Sequence, residues 1–144
     1  MDPVSALGLA ASCVGLVANI ASASKGLSDF ITQLKEADKS ITYLASHLGL
    51  IEIVVDELQR WLGANPNLER RSRIQLASAF KSCDVIVSDI EQHLARVRPK
   101  PGEKASSLKQ KLTLLWNDSV IKEHREALSH CLQAFQILVS LTQL

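Results

Sequence analysis

From Pro3 to Ser24 the chain runs for 22 residues without one charged side chain; Asp2 precedes the run and Lys25 follows it. A stretch of that kind must be hidden, either by the rest of the protein or by lipid. Asp2-Pro3 makes a good helix start, since Asp can accept from free N–H groups and Pro loses nothing at the first helical position. A helix of this length is about 33 Å long at 1.5 Å per residue, close to the roughly 30 Å of a bilayer core.

Three fates compete for such a helix. A secretory signal wants positive charge before its apolar run, and the only early charged side chain here is Asp2. A permanent membrane span wants more hydrophobicity than this: only seven of the 22 residues are large aliphatics, against six Ala, four Ser, two Gly and Asn19. The third fate is a helix buried in a bundle, which either stays there or meets lipid conditionally. Its aliphatic residues divide between two faces, Val4, Leu7 and Val14 on one and Leu9, Leu16 and Ile20 on another, with Val17 completing the seven. Small residues recur at a spacing of four, as in Gly8/Ser12 and Ala11/Gly15, a pattern that lets helices approach closely.

The remaining sequence reads as helix. Ile41, Leu44, Leu48, Ile51, Val55, Leu58 and Leu62 step alternately by three and four, the seam of a heptad repeat. Leu50, Ile53, Val54 and Trp61 widen that face, as packing against several neighbours requires. Gly63 to Asn67 holds stop signals. Leu76, Phe80, Cys83, Val87, Ile90, Leu94 and Val97 form a second seam ending before Pro99. Leu27, Phe30, Ile31 and Leu34 after Gly26, and Leu108, Leu112 and Leu115, read as short helices, and Asp118 is placed to cap a last one with Ile121, Leu128, Leu132, Phe135, Leu138 and Leu141 inward. We therefore expect one all-α domain over residues 1–144, an antiparallel bundle of five to six helices with an apolar N-terminal helix. Leu144 falls in mid-pattern without a Gly stop, so the expected setting is the N-terminal part of a longer protein.

Motifs for chemistry are missing. The sequence holds no Gly-rich phosphate loop, no G-x-S-x-G and no H-E-x-x-H. His47, His93, His124 and His130 read as surface or half-buried polar residues, and Cys13, Cys83 and Cys131 as small buried hydrophobes. No enzyme, cofactor, metal or small-molecule substrate is expected. With 4% aromatic residues and a net charge of +1, neither a base-stacking platform nor a basic field points to nucleic acid.

Charge is uneven all the same. Residues 1–62 hold four Lys/Arg and seven Asp/Glu, whereas residues 63–144 hold twelve and eight. Arg96, Arg98, Lys100, Lys104, Lys109 and Lys111 face only Glu103 in their segment, and Arg70, Arg71 and Arg73 form a second cluster. Such groups suit anionic lipid headgroups, at about 1 kcal/mol per residue near the surface, or are simply a solvated loop.

The opening Met1-Asp2-Pro3-Val4-Ser5-Ala6-Leu7-Gly8-Leu9-Ala10-Ala11, the uncharged run to Ile20, Leu27-Ser28-Asp29-Phe30, the stretch Ile51 to Leu62, Lys111 to Trp116, and Ile121-x-x-His124-x-x-Ala127-Leu128 together resemble fungal HeLo-like N-terminal domains. These stand at the head of NLR-like ATPases and ankyrin-repeat proteins. The resemblance covers nearly the whole chain through degenerate apolar patterns. It implies a helical bundle similar to the executioner domains of fungal heterokaryon incompatibility, to the four-helix domain of the necroptotic pseudokinase and to some plant immune-receptor N-termini.

The activity implied is regulated cell death: oligomerisation on a signal from a C-terminal or separate sensor domain, then permeabilisation of the plasma membrane by the N-terminal segment. Carried onto this chain, the membrane-inserting residues are Val4, Leu7, Leu9, Val14, Leu16, Val17 and Ile20. Gly8, Ala11, Ser12 and Gly15 form a small face for helix association. Arg96, Arg98, Lys100, Lys104, Lys109 and Lys111 are added from charge counting as the anionic-lipid contact. The expected partners are further copies of the chain, anionic membrane lipids and the sensor. The expected location is cytoplasmic at rest and the plasma membrane on activation. The alternative is a helical oligomerisation or adaptor module of a fungal NLR-like signalling protein that never touches lipid.

Overall fold

The computed structural model describes residues 5–33, 39–97, 100–104, 106, 107, 110, 111, 114 and 116–142. Among them lie four long helices: α1 (Ala6–Gln33), α2 (Lys39–Ala64), α3 (Arg70–Val97) and α4 (Asp118–Thr142). The described residues contain no strand. The expected count of five to six helices is corrected at one point: Leu27, Phe30 and Ile31 are the last turns of α1, which passes through Gly26 without a break. A lone Gly costs a helix about 1 kcal/mol, less than burying Leu27 and Phe30 in the core returns. Leu34, Leu108, Leu112 and Leu115 lie outside the described residues.

Both seams are buried at every position, Ile41 to Leu62 on α2 and Leu76 to Val97 on α3. On α4 the buried series is Ile121, His124, Leu128, Cys131 and Phe135, while Leu132 and Leu138 are half-buried; the side chain of Leu141 lies outside the described residues. His124 corrects the expectation of a surface or half-buried polar residue. It takes a seam position between Ile121 and Leu128, where its Nε2 meets Nδ1 of His93 on α3 at 2.9 Å. The hydrogen bond satisfies a ring that would otherwise be stranded in the core. Burial, then the neighbouring His93, hold the His124 pKa below the ordinary histidine value.

The helix ends follow local chemistry. Ser5 Oγ accepts from the N–H of Gly8 at 3.0 Å and starts α1. Asp2-Pro3, the expected start, lies outside the described residues. Asn117, not Asp118, caps α4, its Oδ1 accepting from the N–H of Val120 at 3.1 Å. Asn65 closes α2 by donating from Nδ2 to the carbonyl of Trp61 at 2.8 Å. In the segment after α3, the N–H of Glu103 donates to the Lys100 carbonyl at 3.0 Å across Pro101-Gly102. Gly102 has φ +78°, so this is a turn with Pro second and a left-handed Gly third.

The order of the helices around the bundle is not their order in sequence. α1 packs against α2 and α3, and α4 packs against the same two; among the described residues the backbones of α1 and α4 do not approach, nor do those of α2 and α3. Cross-contacts set the directions. The Cys13 thiol donates to the Val55 carbonyl at 3.6 Å, and Asn19 Nδ2 donates to Asp84 Oδ1 at 2.8 Å. Phe80 meets Phe135 with ring centroids 5.6 Å apart, and His47 meets Ser129 at 3.2 Å. With the short α2–α3 link, these contacts make α1 and α2 antiparallel, α3 and α4 antiparallel, α1 and α3 parallel, and α2 and α4 parallel. The expected antiparallel bundle is therefore antiparallel in only two of its four contacts. Trp116 closes the upper end, buried against Phe30 with centroids 6.0 Å apart.

Candidate functional site

Helical periodicity divides the uncharged helix into two faces, and the bundle covers only one. Leu9, Cys13, Leu16, Ile20, Ala23, Leu27 and Phe30 recur at steps of three and four and lie in the core. Leu7, Ala11, Val14, Ala18 and Ser22 recur with the same period on the opposite face and remain exposed. Leu7 is 73% exposed and Val14 50%. The reason is topological: α1 has two helical neighbours and its diagonal partner α4 stays away, so among the described residues no helix lies over one side of the rod.

The seven membrane residues expected from sequence are therefore not one surface. Leu9, Leu16 and Ile20 are core, Val17 is half-buried against it, Leu7 and Val14 face outward, and Val4 lies outside the described residues. The small-residue face divides too: Gly8 is buried, whereas Ala11, Ser12 and Gly15 are exposed. A Cβ added at Gly15 would meet nothing within 4 Å, so no contact inside the domain requires that glycine.

Four of the six expected lipid-binding cations can be placed. Arg96 ends α3, and Lys100 and Lys104 are exposed beyond it. Lys111 is only partly exposed and pairs with Glu103 at 2.5 Å. The same carboxylate accepts from the N–H of Lys100 at 2.8 Å. The Lys111 bond first, then the Lys100 bond, hold the Glu103 carboxyl below the usual carboxylate range. Arg98 and Lys109 lie outside the described residues. The group sits beyond the C-terminal ends of α1 and α3, on the end closed by Trp116.

Other features are structural or shallow. The Cys83 thiol hydrogen-bonds to Cys131 across the α3–α4 contact, and that bond, with burial, pushes its pKa up; both are free thiols in the core. An open groove of about 420 Å³ lies between α2 and α4, lined by Val54, Leu58, Trp61, Phe135 and Val139. Among the described residues no group of three or more His, Cys, Asp or Glu side chains is placed to hold a metal ion.

A family model described as the N-terminal region of pigment biosynthesis cluster protein PigL matches residues 1–144, the whole of the sequence. The chain belongs to the PigL N-terminal family. No curated protein and no solved structure matches it. In this PigL N-terminal domain, Ala6–Thr32 is long and apolar enough to cross a membrane, yet only 33% of its most apolar 18-residue window is buried.

Sequence reasoning missed two things about this domain. His124 was legible as a seam position from its step of three after Ile121, but a polar residue hides in a count of apolar ones. The neighbourhood of Arg70, Arg71 and Arg73 was not legible at all, because it depends on which helix lies beside α3.

Proposed function

We propose that the domain is a HeLo-like, membrane-targeting effector that docks on a bilayer through the outward face of α1, oligomerises there and permeabilises the membrane with that helix. The observation that carries this reading is the exposed, charge-free face itself: Leu7 and Val14 stand in solvent on a helix that has no charge before Lys25. Soluble helices ordinarily place charge on the face away from the core. Docking needs no unfolding, because this face is already bare. Insertion asks for more. Leu9, Leu16, Ile20, Leu27 and Phe30 must leave the core, which forfeits about 8–15 kcal/mol gross at 1.5–3 kcal/mol per side chain. Lipid tails return much of that sum, so a signal that clusters several copies has only the difference to supply. Gly15, Ala11 and Ser12 would then let released helices associate closely.

The test uses residues whose loss leaves the core intact. Leu7→Glu and Val14→Glu in the full chain are expected to abolish dye release from liposomes while leaving the helical circular dichroism and melting temperature unchanged. Equal leakage from wild type and both variants removes α1 from the mechanism.

A second reading has its own observation. The α2–α4 groove, together with exposed Leu50, Ile53 and Ile137, suits self-assembly or an adaptor role with no lipid step. It is favoured if the chain oligomerises in sedimentation velocity and never binds vesicles.

A further inference from the structure

α1 and α3 run in the same direction, with Asn19 bonded to Asp84. Arg73 and Arg70 precede Asp84 by about three and four helical turns, so they occupy the same edge of α3, the edge that faces α1. Counting back equally on both helices places Arg73 level with Gly8, and the first turn of α3 beside the first turn of α1. Two helix N-termini therefore lie side by side at the lower end, each with a partial positive charge and neither with an acidic residue in its first turn. Arg70 and Arg71 are exposed there; Arg73 is half-buried, and its Nε has no hydrogen-bond partner. Glu69 just before α3 is the nearest acid in sequence. Ile74, one turn beyond Arg70, is 46% exposed.

Resting on the bilayer reading of α1, we infer that the headgroup contact is the α1-facing edge of α3, Arg70 with Arg73, and not the cations between 96 and 111. The occupant is an anionic bilayer, because the patch pairs apolar side chains (Leu7, Val14, Ile74) with guanidinium groups, the complement of acyl chains beneath phosphate. The upper cations stand far from these apolar side chains. Phe30, which packs against Trp116 at that end, is 23 residues beyond Leu7, about 35 Å along the helix axis. Lys111 is in addition already paired with Glu103.

The experiment is vesicle co-sedimentation of the full chain with phosphatidylcholine alone and with phosphatidylcholine containing phosphatidylserine. Arg70→Gln is compared with Lys100→Gln with Lys104→Gln; Arg73 is left alone because it is half-buried. At roughly fivefold per basic residue, Arg70→Gln is expected to cost about fivefold in affinity for the anionic vesicles and nothing for the neutral ones, and the lysine pair to cost nothing. A loss with the lysine pair and not with Arg70→Gln overturns this assignment and leaves the bilayer reading standing. So does equal binding of both vesicle types by wild type, or wild-type binding by both variants. If wild type binds neither vesicle, the bilayer reading itself falls, and the arginine contact with it.

Discussion

α1 and α3 are both 28 residues long, both pack against two neighbours, and both bury a seam with the same period. They differ in what they show to solvent. α3 carries eight charged residues and α1 only two, Lys25 and Asp29, both near its far end. α3 is thus an ordinary amphipathic helix, whose outer face favours water as strongly as its inner face favours the core. α1 has no such preference over its first five turns. The same buried pattern serves both, so core periodicity says nothing about function here, and the outer face carries the distinction.

That two-faced reading of α1 breaks most visibly under truncation. Leu16→Ala should cost about 2–5 kcal/mol in urea denaturation, whereas Leu7→Ala should stay within about 0.5 kcal/mol. Equal losses would mean that the outer face is packed after all.

Next in size is the effect of pH, which separates the upper part of α3 from α1, where no histidine occurs. The folded-state pKa of His124 lies below its ordinary 6.5, so the unfolded chain binds more protons in that window. Stability is then full above about pH 6.5 and falls as the pH drops toward the depressed folded value. Melting temperatures measured across that range should decline in wild type and flatten in His124→Gln.

Gly15→Ala should raise stability by about 1 kcal/mol, since a methyl group there meets only open space and Ala is the better helix former. If vesicle leakage falls while stability rises, Gly15 serves contacts between copies rather than the fold. The smallest effect concerns the register of α1 against α3. Asn19→Ala removes an exposed hydrogen bond to Asp84 and should cost about 0.5–1 kcal/mol in the same urea assay.

Much of this was readable in advance. The α2 and α3 seams were legible residue by residue, because a three-four alternation admits only one buried face. The three buried cysteines were legible from the apolar residues around them in the sequence. The fusion of Leu27 to Ile31 into α1 was not, since Gly26 signals a stop locally and only the core it bridges overrides that signal. On the candidate site, sequence identified the helix but treated its aliphatics as one set. Leu9 and Leu7 are equally apolar, and only the position of α2 and α3 makes one core and the other surface.

By itself the sequence determined that the chain is helical, where its core seams run, and that one helix lacks charge; these follow from periodicity and composition, which are local. Only the tertiary structure decided that α1 sits diagonally from α4 with one side uncovered, and that the arginines of α3 stand beside its N-terminus while the lysines lie at the other end. Those facts depend on the order of helices around the bundle. A short link between α2 and α3 permits more than one such order, and packing of the completed core selects among them.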